Sequence, residues 1–80
     1  MHLEIITPDK EIFKGEVKSV NVPGSSGSFE VLENHAPIIS TLEEGKVRVV
    51  DSQGKEVFVD LVGGVIEAKN NKLIILARLA

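Results

Sequence analysis

The sequence predicts an all-β domain, an antiparallel sandwich or flattened barrel of about ten short strands in two sheets. Three observations predict it. Valine and isoleucine number 19 of the 80 residues, against four alanines. Branched side chains fit a pleated surface and lose rotamer freedom in a helix. Turn-forming clusters recur at short intervals, from Pro8-Asp9 to Asn70-Asn71, which is the spacing of strands and hairpins. No stretch carries a helical period of useful length, and there is no repeat and no linker.

The strands follow in order. Leu3–Thr7 is the first, ended by Pro8-Asp9. Glu11–Val22 alternates in part, with Val20 and Val22 on one face and Ser19 and Asn21 on the other. Gly15 inside that run predicts a bulge or bend. Pro23-Gly24-Ser25-Ser26-Gly27 is a loop. Ser28–Leu32 and Ile38–Leu42 are short strands on either side of Glu33-Asn34-His35-Ala36-Pro37. After the turn Glu43-Glu44-Gly45 come Lys46–Val50 and, past Ser52-Gln53-Gly54, Glu56–Val62. Gly63-Gly64 predicts a bulge or a change of sheet. Val65–Ala68 and Leu73–Leu79 flank Asn70-Asn71, a two-residue hairpin loop in which asparagine tolerates positive φ.

One pattern exceeds what a two-layer core needs. Leu73-Ile74-Ile75-Leu76-Ala77 is apolar on both faces, and Ile5-Ile6, Ile38-Ile39 and Val49-Val50 repeat it. The outer face of a sandwich is normally polar. Doubly apolar strands in so small a domain predict that part of one outer face is covered by a partner.

Composition excludes several function classes. With no cysteine there is no disulfide, no thiolate zinc site and no thiol nucleophile. A net charge of -3, no basic run and only three aromatics, Phe13, Phe29 and Phe58, argue against a nucleic-acid surface. No apolar run approaches the roughly 20 residues that cross a bilayer as a helix, and the N-terminus lacks the basic and apolar regions of a signal peptide. Any membrane link runs through a protein partner.

The residues that invite a chemical reading do not assemble one. His35 lies near Glu30 and Glu33, but general acid–base work needs a reacting group within reach, and Ser25, Ser26 and Ser28 stand in a Gly/Ser loop without a nucleophile elbow. A metal needs three or four converging ligands. His35 therefore ties down its own loop or meets a partner. His2, at the terminus, is uninformative. The loop Pro23–Gly27 lacks the Gly-Lys-Ser/Thr ending and following helix of a phosphate-binding loop. No catalytic, cofactor-binding or metal residue is assigned. Asp9-Lys10 is similar to the modified Asp-Lys pair of lipoyl carriers, yet Lys10 lies far from mid-chain and no half-repeat surrounds it. A stand-alone adaptor or sugar-binding β-module is a further alternative.

Five segments in order resemble one family. Gly24, Gly27, Phe29, Val31-Leu32 and His35-Ala36-Pro37 are similar to the Gly-x-x-Gly…Val-Leu-Pro-Gly-His-Ala-Pro signature of the epsilon subunit of F-type ATP synthases. Leu3-x-Ile5-x-Thr7-Pro8 with Ile12-Phe13-x-Gly15-Glu16-Val17 is similar to the first strands of that family, and Leu42-x-x-Gly45-x-Val47 follows at the usual distance. Gly63-Gly64-x-Ile66-Glu67-Ala68 and Lys72-Leu73-Ile74-Ile75-Leu76-Ala77 resemble its last segments. Departures fall at Glu30 and Asn34, where the signature has glycine, at Glu33, where it has proline, and at Ser28, where an acid is frequent.

The resemblance implies the family's N-terminal β-sandwich of two five-stranded sheets over residues 1–80, a non-catalytic subunit without cofactor. It implies two partners, the gamma subunit and the membrane rotor ring of the synthase, and a peripheral place on the cytoplasmic face of the bacterial inner membrane. Ser25, Ser26, Gly27, Ser28, Glu30, Glu33 and His35 map onto the ring-facing region. Ile38, Ile39 and Ser40 map onto part of the gamma contact. Phe29, Val31 and Leu32 are expected to anchor the loop in the core. The family usually continues into a two-helix hairpin; the resemblance is to a short form without it, and the hairpin's braking and nucleotide-binding roles are assigned to no residue of 1–80.

Overall fold

The computed structural model describes every residue from Met1 to Ala80. Eight strands make up the molecule: β1 His2–Ile6, β2 Glu11–Val22, β3 Phe29–Leu32, β4 Ile38–Leu42, β5 Gly45–Asp51, β6 Glu56–Leu61, β7 Gly63–Lys69 and β8 Lys72–Arg78. One hydrogen-bonded path runs β4-β7-β8-β1-β2-β5-β6, with β3 attached to β2. The path folds over on itself at β2. Its first half pairs with β1 and its second half with β3 and β5. The result is a layer β4-β7-β8-β1-β2 facing a layer β3-β2-β5-β6.

The all-β sandwich is as the sequence predicts, with three corrections. The strand count is eight, not about ten, and β2, expected as the single run Glu11–Val22, serves both layers. Five strand positions face four, not five facing five. The pairing of β1 with β8 is parallel, His2 opposite Lys72 through Ile6 opposite Leu76. These are the first and last strands, so no short turn joins them and nothing forces the antiparallel geometry that a hairpin imposes.

One of two bulges sits where β2 turns between layers, and the other lies within the β1–β2 pairing of a single layer. Register shifts on β2 fall between Val17 and Ser19 against β5, and β1 shifts between Ile5 and Ile6. The expected bulge at Gly15 does not occur, since Gly15 lies in regular register opposite Leu3. The Phe13 ring lies 3.8 Å from where a Cβ at Gly15 would stand, an ordinary van der Waals distance. Gly63-Gly64 does mark a change of sheet. β6 ends at Leu61 in one layer and β7 starts at Gly63 in the other. Asn70 and Asn71 both have positive φ, 54° and 59°, the left-handed pair of a tight hairpin turn.

The core is aliphatic. Leu3, Ile5, Val20, Val22, Val31, Val47, Val49, Ile66 and Ile75 are fully buried between the layers, each worth about 1.5–3 kcal/mol of transfer free energy. A bridge between Gly24 and Leu42 ties the start of the β2–β3 hairpin to the end of β4. There is no buried side-chain polar atom without a partner.

Candidate functional site

Two exposed regions, not a cavity, are what this sandwich offers. The first is the outer face of the five-strand layer. Along β8 the inward residues Leu73, Ile75 and Ala77 are buried, and the residues between them, Ile74 and Leu76, face out. Leu76 stands opposite Val65 of β7 on one side and Ile6 of β1 on the other. Ile74 stands one pleat along, and Ile39 on β4 faces out in the same row but is separated from Ile74 by the exposed Glu67 of β7. Leu76 is 52% and Ile39 73% exposed. A groove of about 660 Å³ runs over this face, floored by Ile6, Val65 and Leu76 and rimmed by Thr41, Glu43 and Arg78.

This is the doubly apolar pattern of the sequence in three dimensions. The residues expected to face gamma divide, however. Ile39 lies on the outer face, while Ile38 and Ser40 stand opposite Ala68 and Ile66, on the inward face. Ile38 packs against the core, and Ser40 Oγ donates to the Thr41 carbonyl at 3.1 Å. Alternation along a strand makes this unavoidable: three consecutive residues cannot share a face. Ile6, Val65, Ile74 and Leu76 were not among the expected site residues, although Ile5-Ile6 and Ile74-Ile75-Leu76 carried their signal.

The second region is the edge along β3, which pairs only with β2. Ser25, Ser26, Gly27 and Ser28 form the hairpin at one end of the strand, and Glu33-Asn34-His35-Ala36-Pro37 forms the loop at the other. The stretch Ser25–His35 is thus two loops joined by a strand. The first is fixed to β4, with Ser25 N–H donating to the Thr41 carbonyl at 3.1 Å and the Ser25 and Thr41 hydroxyls 2.7 Å apart. The second meets the β7–β8 turn and the N-terminus. Ser25 through Ser28, Glu30, Glu33 and His35 are all exposed.

The three expected anchors differ. Val31 is fully buried. Phe29 is half-buried against the core and covers Gly24, where an added Cβ would stand 2.7 Å from its ring. Leu32 is 51% exposed, a correction that follows from its position one residue past Val31. Phe29→Ala is therefore expected to lower stability by about 2–4 kcal/mol and Leu32→Ala by less than about 1 kcal/mol. Urea unfolding of the two variants checks this, and a Leu32 loss as large as that of Phe29 contradicts it.

Neither histidine builds a reaction centre. His35 is exposed, with Nδ1 2.7 Å from the Ala36 carbonyl oxygen, so it ties down its own loop. His2 lies between two carboxylates, Nε2 3.0 Å from Glu4 and Nδ1 3.2 Å from Glu16. Its hydrogen bond holds the Glu4 carboxyl below the usual carboxylate range, helped by Lys14 and Lys72 and opposed by partial burial. No group of three or more His, Cys, Asp or Glu residues converges as a metal site would require. Lys10 closes a tight turn, its N–H donating to Thr7 Oγ1 at 3.1 Å.

A small β-sandwich with an apolar outer face and a polar, loop-bounded edge defines a class, that of docking modules that work by contact. The chain belongs to the ATP synthase delta/epsilon chain family: the beta-sandwich domain of that family matches residues 1–80. It is 46% identical over 77 residues to the ATP synthase epsilon chain of Caulobacter vibrioides, covering 96% of this chain and 88% of that one. It is 45% identical over 74 residues to the epsilon chain of Chlorobaculum tepidum, covering 92% and 84%. Epsilon chains are accessory subunits of the membrane-associated synthase, not its catalytic part.

Solved structures share the fold. A chain in the Euglena gracilis mitochondrial ATP synthase OSCP/F1/c-ring structure superposes with a TM-score of 0.87 at 23% identity over 94% of this chain. One in the Tetrahymena thermophila mitochondrial ATP synthase central stalk/c-ring structure gives 0.78 at 16% identity over 98%. This chain spans 48% and 63% of the lengths of those two.

Proposed function

We propose that this chain is a rotor subunit of an F-type ATP synthase, placed in the central stalk between the gamma subunit and the membrane ring of c subunits. There it couples ion flow to ATP synthesis mechanically, as a peripheral subunit on the cytoplasmic face of a bacterial inner membrane. The observation that carries this reading is the apolar outer row Ile6-Leu76-Val65 with Ile74 beside it on β8, on a member of the epsilon-chain family. Such a face suits the gamma subunit as its cover. The β3 edge, with Glu30 and Glu33 exposed, suits the polar loops of the ring. Rim charges of this kind steer docking and fix register more than they add affinity.

The mechanism needs stiffness. Continuous strand pairing across the β2 fold and a fully buried aliphatic core let the module carry load between its faces without deforming. No residue need act on a substrate, and no cofactor enters the scheme.

Charge reversal along the edge tests the assignment. Glu30→Lys combined with Glu33→Lys is expected to weaken ATP-driven proton pumping in membrane vesicles while the chain still co-purifies with gamma. Unchanged pumping, or loss of gamma with these substitutions, contradicts it.

A further inference from the structure

The loop Glu33–Pro37 has no regular structure, yet one side chain from the far end of the sequence fixes it. Asn34 N–H donates to Asn71 Oδ1 at 2.6 Å. Asn71 Nδ2 donates back to Asn34 Oδ1 at 3.0 Å. The two bonds use the donor and the acceptor of a single amide, which also fixes its orientation, since a flipped amide would set donor against donor. The Asn71 carbonyl meanwhile accepts from His2 N–H at 2.9 Å. Three segments distant in sequence therefore meet at the tip of the β7–β8 hairpin. Glu33 adds a fourth contact, its Oε1 lying 3.3 Å from the N-terminal ammonium.

Turn geometry does not explain the choice of residue. Asn34 and Asn71 have φ of 64° and 59°, and glycine supplies left-handed backbone more easily than asparagine. What asparagine adds is a side chain that reaches across 37 residues. The bonded pair is exposed, so each bond contributes little to global folding. Its effect is to remove alternative conformations from the loop before a partner arrives, which lowers the ordering cost of docking.

We propose that Asn71 is a positioning residue for the His35 end of the β3 edge, its amide holding Glu33 and His35 in the conformation that meets the membrane ring. This rests on the docking role proposed above. Asn71→Gly keeps the turn and removes both bonds. Asn34→Gly removes only one, because the backbone N–H at 34 can still donate to Asn71. The two variants are thus ordered by the geometry.

The experiment has two readouts on the complex of this chain with gamma. Hydrogen exchange at the residue 34 amide is expected to speed up about tenfold in Asn71→Gly, the loss of roughly one net hydrogen bond, and to change little in Asn34→Gly. Binding of the complex to purified c-ring is expected to weaken about 3–10-fold in Asn71→Gly, the cost of ordering a loop at docking, and less in Asn34→Gly. Glu33→Lys with His35→Glu serves as the reference for docking itself. If that reference weakens ring binding and Asn71→Gly does not, the positioning role is overturned while the docking role stands. If the reference leaves ring binding unchanged, the docking role falls and the positioning role falls with it. Unchanged exchange at residue 34 in Asn71→Gly overturns the lock.

Discussion

Leu76→Asp is expected to abolish co-purification with the gamma subunit, lowering affinity at least about a hundredfold, while the chain stays folded. Leu76 lies at the centre of the outer patch, flanked by Val65 and Ile6 in the same row of the sheet. A central apolar anchor is where interface energy concentrates, commonly about 2 kcal/mol or more per residue. A carboxylate there must also be desolvated without a designed partner. The cost to the domain is small, because Leu76 is half-exposed on its own and aspartate in an exposed strand position costs about 1 kcal/mol. Phe58→Asp is the control: Phe58 is equally exposed at 55%, but β6 belongs to the opposite layer. Pull-down of gamma with each variant, alongside a circular dichroism melt, separates the possibilities. Gamma bound by Leu76→Asp and lost by Phe58→Asp would move the docking face to the other sheet.

Most strand boundaries were legible in the residues because local chemistry sets them. Glu11–Val22 and Ile38–Leu42 coincide with the expected spans. Asn70-Asn71 adopts the double positive-φ turn that its residue types require. Pattern alone also showed that something apolar was left over: Ile74 and Leu76 face out because their neighbours Leu73, Ile75 and Ala77 fill the core.

What could not be read depends on long-range pairing. Nothing local to Glu11–Val22 says that this one strand crosses from one layer to the other, so its membership of both layers was not expected. The parallel contact of β1 with β8 joins the two ends of the chain and has no turn signature. Face assignment at Ile38, Ile39 and Ser40 needed the register with β7. The Asn34–Asn71 pair has no sequence signal beyond an asparagine where glycine would suffice. It became visible only when the hairpin tip and the loop were brought to one place.

The same register explains why the fold tolerates substitution of Gly64 poorly. It has φ of +155° and lies within the β4-β7-β8 ladder, opposite Leu42 on one side and Ala77 on the other. A Cβ there would stand 2.4 Å from the Leu76 carbonyl oxygen, an atom of β8 backbone that cannot rotate away. Two penalties combine in Gly64→Ala, backbone strain of about 1–3 kcal/mol and overpacking of about 1–3 kcal/mol. Against a domain stability of roughly 0.05–0.15 kcal/mol per residue, the expected outcome is a chain that is largely unfolded or melts far below the parent. Gly54→Ala isolates the first penalty. Its φ is +85°, and no atom lies within 4 Å of the added carbon, so only the backbone cost of about 1 kcal/mol remains. Urea unfolding of both variants reads the difference. A Gly64→Ala protein as stable as Gly54→Ala would mean that β7 and β8 can separate at this point, and the stiffness that the rotor role requires would be lost with their pairing.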